Sequence, residues 1–548
     1  MYGSRFSPSS VSPYHLQSVF DMIKQPNELH AHQAVKKKEI RSMSKSDQSV
    51  ITHSLQRSVC SITQPAKLTL LLLMWMGLTQ LIGLTTFYVG ENDSLQTMIC
   101  QALNCQTDSE VKVVIQRHTL YAGYLPGVGD RIFQIDFSST LVNTFILEGD
   151  TNFNPQIIMN PSHNYEDYQT AIEVEGDYNL NKNLVIDNLS FHYTGTSLGY
   201  HGIRIKSGMN SIMMKGCTFN RSHYCFNYNS DPCYLYPVKR ITIDSCHFIQ
   251  PIDFDCALVP YTIGYNEYYQ YQEPIYISIT NNSFSGRVSF GDINTGSNIA
   301  YVTIAENDYQ YCHQSSQNNE REMLLSSYSG TAHLELRSNY FQNSSISING
   351  FSGLISGNKF QREDGLPYWV HNFLEIIPKS PPEDIQHVEI RANEFYGCDD
   401  FAIKAHAIYN NGTDYLSLSL ENNSFFGDGG VLQILTSPYY LSGPQMVPSF
   451  TNNLVSCSGY VINNHNYFVD IVSYTGLIPT HNPPLVDAIL MKNSYFHNED
   501  HNMNNEYYNL VDCIIGEDAK IEYDQVNHDY TLIWNNEARS PLIMAGYG

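Results

Sequence analysis

The sequence predicts an all-β solenoid, a parallel β-helix opened by a short capping helix and preceded by one transmembrane helix. Three observations predict it. A short phrase ending on an aromatic residue returns along the chain at a roughly constant interval, the mark of stacked repeats. Several copies follow strict apolar–polar alternation, as in Tyr415-Leu-Ser-Leu-Ser-Leu420, which argues for strands with one buried face. One long uncharged run stands ahead of all the copies.

The phrase reads apolar, two residues, Asn, one residue, aromatic. It occurs as Ile304-Ala-Glu-Asn307-Asp-Tyr309, Leu336-Arg-Ser-Asn339-Tyr-Phe341, Ile355-Ser-Gly-Asn358-Lys-Phe360 and Ile390-Arg-Ala-Asn393-Glu-Phe395. Further copies end at Phe284, Phe425 and Tyr495, and earlier ones replace Asn with Cys217, Cys246 or Leu189 ahead of Phe219, Phe248 and Phe191. The aromatic recurs every 19 to 36 residues, apart from one gap of about 70 before Tyr495. Each coil would pair in parallel with the next, about 4.8 Å away, and residues at matching places would stack into one continuous core. The recurrent Asn suits a bend, because it tolerates unusual backbone angles and its amide can bond the Asn of the next coil.

The elements follow in chain order. Residues 1–67 show no sustained periodicity and read as a largely disordered cytosolic tail. They carry nine Lys/Arg against four Asp/Glu. The run LTLLLLMWMGLTQLIGLTTFYV opens at Leu68, closes at Val89 and contains no charge. About 22 residues suffice to cross a bilayer. Lys36, Lys37, Lys38, Arg41, Lys45, Arg57 and Lys67 all precede it, so the positive-inside rule leaves the N-terminus in the cytosol. The expectation is a single-pass type II membrane protein, its body on the lumenal or extracellular side. Residues 94–104 read as the capping helix, with Ser94 as N-cap and Leu95, Met98, Ile99, Ala102 and Leu103 on one face. The β-helix occupies 90–530, with roughly 14 to 17 coils, and 531–548 form a C-terminal tail.

Composition fits this reading. A chain of 548 residues exceeds one ordinary compact core, and a solenoid grows without enlarging its core. Beyond Gly90 the acidic residues outnumber the basic ones by 29. So acidic a body repels phosphate backbones, which excludes a nucleic-acid partner.

The Asn, Cys and Ser positions of the repeat resemble the ladders of the pectin-lyase-like right-handed parallel β-helix superfamily, over about residues 90 to 530. That resemblance implies a right-handed coil and a fold shared by polysaccharide lyases, glycoside hydrolases, epimerases and non-catalytic proteins. Gly202-Ile-Arg204-Ile-Lys206 looks like the Arg-Ile-Lys motif of the polygalacturonase family, whose cations hold a uronate. Gly397-Cys-Asp399-Asp400 looks like its paired aspartates, an acid and a water-activating base. Here the aspartates follow the cationic motif by about 200 residues, the reverse of that family's order, and its Gly-His-Gly motif is not found.

Other candidates come from the residues alone. Insertions after Phe219 and Phe248 hold Tyr224, Tyr228, Tyr234 and Tyr236, then Tyr261, Tyr265, Tyr268, Tyr269 and Tyr271. Leaving from one corner of neighbouring coils, they would form a surface for sugar rings or a protein partner. Cys225 and Cys233 share a short loop and are the expected disulfide, with Cys100 and Cys105 next, while Cys217 and Cys246 suit buried stacking thiols. Sequons stand at Asn92, Asn188, Asn220, Asn281, Asn343, Asn411 and Asn422, the last six being the expected glycosylation sites. His497-Asn-Glu499-Asp500-His501 reads as a solvated loop, and no metal or cofactor is expected. Without an ordered catalytic set, the chain reads as a membrane-tethered, non-catalytic rod that recognises a glycan or a protein. The alternatives are a membrane-anchored polysaccharide hydrolase or lyase, and an accessory subunit of a large membrane complex.

Overall fold

A computed structural model describes residues 84 to 532 apart from short segments between strands, among them 161–168, 230–237, 263–273, 364–371, 408–415, 437–447 and 497–507. Alternation decides the elements. In the strand Thr144–Gly149, Phe145 and Leu147 are buried while Thr144, Ile146 and Glu148 face outward. Such strands fall into three long sheets. A single coil runs through Asn183–Asp187 in the first sheet, Ser190–Tyr193 in the second and Tyr200–Ile205 in the third. Met209–Lys215 then returns beside the starting strand, paired with it in parallel. The chain is thus a parallel β-helix. Its first sheet has 15 strands, which at about 4.8 Å per step extends about 70 Å.

Register explains the core. Ile186, Met214, Ile243, Ile279, Ile304, Leu336, Ile355, Ile390 and Leu420 occupy one file across successive strands. In the second sheet Phe191, Phe219, Phe248, Phe284, Tyr309, Phe341, Phe360, Phe395 and Phe425 form a second file. Neighbouring rings lie 4.6–5.2 Å apart and within 7° of parallel.

Between these files runs the Asn ladder. Asn282, Asn307, Asn339, Asn358, Asn393, Asn423 and Asn453 are all buried. Each Oδ1 from Asn307 to Asn453 accepts both the backbone N–H and the side-chain amide of the Asn one coil earlier, at 2.9–3.1 Å. Each of these amides also donates to a carbonyl of the preceding coil, as Asn339 does to Ile304 at 2.9 Å. The ladder ends on Ser494, whose hydroxyl accepts the Asn453 N–H at 3.2 Å. At its start the Cys246 N–H donates to Asn282 at 2.8 Å. Cys217 and Cys246 then continue the column as buried free thiols, as expected.

The structure revises several expectations. The ladder Asn does not itself take the unusual backbone angle. The residue before it does: Asn281, Glu306, Ser338, Gly357, Ala392, Asn422 and Asn452 have φ of 53–61°. The turn and the ladder bond therefore fall to different residues. The long gap before Tyr495 hides a copy, Phe450-Thr-Asn-Asn453-Leu-Val455, with Val at the aromatic place. Val455 pairs with Phe425 on one side and Phe496 on the other. The final copy is thus shifted by one residue. Met491 lies in register with Phe450, Ser494 takes the ladder place, and Phe496, not Tyr495, lies in register with Val455, while Tyr495 is opposite Leu454. A one-residue shift exchanges the two faces of a strand.

The end of the expected transmembrane segment is a strand instead. Leu84–Val89 is a strand of the first sheet, paired in parallel with Glu110–Ile115, and Val89 is buried in the core. The apolar run that remains, 68–83, lies outside the described residues. No helix among the described residues is long and apolar enough to cross a membrane. The capping helix is as expected: it spans Leu95–Leu103, with the Ser94 side chain accepting from the Thr97 N–H and Leu95, Ile99, Ala102 and Leu103 buried.

Replacing Asn358 with Ala would orphan the N–H of Asn339, leave its amide with one acceptor instead of two and remove a donor to Asn393. The expected cost is about 2–4 kcal/mol, read by reversible thermal or denaturant unfolding. The Tyr309 ring fills the Phe file, but its hydroxyl is buried with no partner among the described residues. Tyr309→Phe should therefore be neutral or stabilising by about 1 kcal/mol, and a clear loss of stability in the same assay would contradict this.

Candidate functional site

The outer face of the third sheet gathers the chemistry that most resembles a site. Period-2 alternation sends Leu374 and Ile376 inward from Leu374–Ile377 and leaves Glu375 facing out. In Phe401–Ala407 the same rule buries Ile403 and Ala405 and turns Lys404 and His406 outward. Register places Ser347, Glu375, Lys404, Gln433 and Asp470 in one row across five successive strands. No local sequence phrase links these residues. The row exists because the coils stack, and sequence reasoning missed it.

Glu375 is the hub. His406 Nε2 lies 2.6 Å from its Oε1, and Lys404 Nζ lies 3.6 Å from the same oxygen. The Ser347 hydroxyl donates to its Oε2 at 3.1 Å. The three side chains Glu375, His406 and Lys404 are only partly accessible, at 14%, 23% and 27%. Burial pushes the Glu375 carboxyl up. The His406 hydrogen bond and charge, the Lys404 ammonium and the Ser347 hydroxyl outweigh it, so the net shift is downward. Further along the row, the Gln433 amide donates to Asp470 at 3.2 Å, and Asp470 is fully buried.

This arrangement offers an imidazole whose tautomer is set by a held carboxylate, an ammonium beside it, and a row of donors and acceptors one coil apart. It does not offer a close carboxylate pair. Glu375 and Asp470 are three strands apart, about 14 Å, beyond the about 5–9.5 Å separating glycoside-hydrolase carboxylates.

The candidates read from sequence are not brought together. Arg204 belongs to Tyr200–Ile205 and the aspartates precede Phe401–Ala407. Both strands lie in the third sheet but seven steps apart, about 34 Å, so Arg204, Lys206, Asp399 and Asp400 cannot form a single catalytic set. Lys206 is engaged with Glu173 at 2.6 Å, which removes it as a free uronate clamp. The Asp400 carbonyl accepts the Gly430 N–H at 2.6 Å, and Asp399 lies outside the described residues.

The tyrosine insertions are in part strand. Tyr224–Asn229 and Tyr261–Thr262 join the third sheet, with Tyr228 opposite Tyr261. Tyr224 and Tyr228 are in register with His201 and the core residue Ile205, so these are ladder positions and not loop positions. Tyr234, Tyr236, Tyr265, Tyr268, Tyr269 and Tyr271 lie outside the described residues, as do the side chain of Cys225 and all of Cys233. Cys100 and Cys105 are free thiols, so the second expected disulfide is absent.

Among the sequons, Asn281 and Asn422 are exposed and Asn188 and Asn220 are half-buried. Asn343 is 2% exposed, and its side chain accepts the Glu363 N–H at 2.8 Å. A glycan cannot be carried there. Asn411 lies outside the described residues.

No family model matches the sequence, and no curated protein matches it. Among solved structures the chain is similar to the catalytic domain of a GH87 alpha-1,3-glucanase in complex with nigerose. The TM-score is 0.34 and the identity 10%, covering 72% of this chain and 68% of that one. A substituted form of that catalytic domain, in complex with tetrasaccharides, gives TM-score 0.34 and 9% identity over the same shares.

The lowered Glu375 pKa has a pH consequence. A carboxylate held below its unfolded value stabilises the fold at neutral pH. That contribution is lost as pH falls from the ordinary carboxylate range through the lowered folded value. His406→Ala removes two of the lowering influences, so the Glu375 titration followed by carboxyl NMR should move upward. An unmoved titration would show that the pair does not exist in solution.

Proposed function

We propose that the β-helix is a glycan-recognition protein that holds a hydroxyl-rich polymer along the outer face of its third sheet. The observation that carries this is the partly accessible row Glu375–Lys404–Gln433 with His406 beside it, backed at its two ends by the buried Ser347 and Asp470. It repeats donors and acceptors at one-coil intervals, and a carbohydrate chain presents hydroxyls at similarly regular intervals. Buried, mutually bonded charges are costly to assemble for stability alone, and perturbed carboxylates concentrate at functional sites.

A second reading, a carbohydrate-active enzyme, is favoured by one contact. The 2.6 Å link between Glu375 and His406 orients an imidazole for proton transfer, with Lys404 placed to stabilise developing negative charge. For localisation we propose a membrane tether through the uncharged run 68–83. As a helix it would extend about 24 Å, short for a bilayer core of about 30 Å, so the anchor would need local thinning or flanking residues.

The test is a panel of neutral and acidic polysaccharides offered to the full chain, scored for retention and for release of new reducing or unsaturated ends. Glu375→Gln and His406→Ala should each weaken retention by about tenfold. If the chain cleaves, the same changes should lower the rate by about 10²–10⁴-fold. Retention and cleavage both indifferent to these changes would remove the third-sheet site.

A further inference from the structure

The first sheet carries a second feature with no role in the row above. Arg240, Tyr276, Tyr301 and His333 occupy one outward register across four consecutive strands. The guanidinium lies over the Tyr276 ring at 5.5 Å. Tyr276 and Tyr301 stack at 5.5 Å and 15°, and Tyr301 and His333 at 5.1 Å and 16°. Tyr276 is 44% exposed and Tyr301 40%, although tyrosines of the inner files are fully buried.

The composition around the file is unusual for so acidic a protein. The strands Ile275–Thr280 and Ala300–Ala305, read IYISIT and AYVTIA, contain no charged residue. Their remaining outward positions are Ser278 beside Thr303, and Thr280 beside Ala305, which is itself buried. Charge returns at the end of the second strand with Glu306 and on the flanking strands, with Arg240 and Asp244 on one side and Glu335 and Arg337 on the other. Ile299, next to Ala300, adds an exposed apolar edge.

The stacking decides what this face can bind. Ring faces are consumed by one another, by Arg240 and by His333. What remains outward is a series of ring edges and phenolic hydroxyls, flanked by Ser and Thr hydroxyls and repeated at the coil spacing. The inward-facing neighbours of these residues, such as Ile277 and Val302, are buried in the core. A protein partner needs a pocket for a desolvated anchor, and a charged peptide needs opposing charge. A periodic, uncharged row of hydroxyls and ring edges fits a periodic, uncharged chain of hydroxyls.

We propose that the outer face of the first sheet over Tyr276 and Tyr301 is a docking platform for a neutral linear glycan lying along the solenoid axis. The ligand class rests on the glycan reading above, but the face is separate, being on another sheet. Its test therefore separates the two.

The full chain is run in native gels cast with soluble neutral polysaccharides, namely hydroxyethyl cellulose, xylan and mannan, and with polygalacturonate as the acidic counterpart. The expected result is retardation by at least one neutral polymer, little changed by added NaCl because no ion pair is involved. Tyr276→Ala with Tyr301→Ala should weaken it about tenfold or more. Tyr276→Phe with Tyr301→Phe keeps the stack and removes only the hydroxyls, so it should give a smaller loss and serves as the folded control. Four outcomes would overturn the proposal: no retardation by any neutral polymer, retardation by polygalacturonate alone, retardation unchanged in both tyrosine pairs, or a self-association abolished by them. If Glu375→Gln and His406→Ala prove silent while the tyrosine pairs matter, the third-sheet reading falls and this one stands.

Discussion

The whole molecule depends on in-register parallel stacking, in which each side chain meets its counterpart on the next coil about 4.8 Å away. That rule is severe for polar residues. An amide at a buried corner must bond something in the coil above and something in the coil below, or be left unsatisfied. Asn meets the demand because its oxygen takes two bonds and its nitrogen gives two. The column from Asn307 to Asn423 uses all four. At the corners where Cys stands instead, the Cys217 thiol meets the Cys246 thiol. Their hydrogen bond, and then burial, push the Cys246 thiol well above its usual value, so this pair is inert packing.

The same rule shapes the outer faces. Stacking would place like charges directly above one another, so the charged rows alternate with opposite or neutral partners. Lys112 pairs with Glu148, Lys206 with Glu173, and Lys404 with Glu375. Where Glu148 faces Asp187 in register, burial and then the neighbouring carboxylate raise the Asp187 pKa. Against this background Glu375 stands out, because three groups from the two neighbouring coils, Ser347, Lys404 and His406, converge on it and favour its ionised form in a half-buried place. The Arg240–Tyr276–Tyr301–His333 file is the opposite solution, a stretch from which charge has been removed.

Much of this was legible residue by residue. Phe341, Phe360, Phe395 and Phe425 could be aligned by eye, because a solenoid writes its three-dimensional neighbours at a repeating interval. The capping helix was legible from Ser94 and its apolar face. The copy at Phe450 was missed because Val455 stands where the aromatic was sought, and the final copy was misread by one residue because Tyr495 and Phe496 are adjacent. The uncharged run reads from sequence as one span up to Val89, but its last six residues are the strand Leu84–Val89; they too carry no charge, and hydropathy alone does not separate the end of an apolar helix from a half-buried strand. The hub at Glu375 was not legible, because Ser347, Glu375, His406 and Asp470 share no motif and lie 28 to 64 residues apart.

The amino-acid sequence alone determined that this chain is a stacked β-solenoid, where its core files run, and that its body is acidic. Periodicity and charge survive translation from one dimension to three, because each coil repeats the same chemical instructions. Only the tertiary structure decided which outward residues become neighbours. The lengths of the connections between strands vary from coil to coil, and so they, not the phrase itself, set which carboxylate, imidazole and hydroxyl meet on the surface.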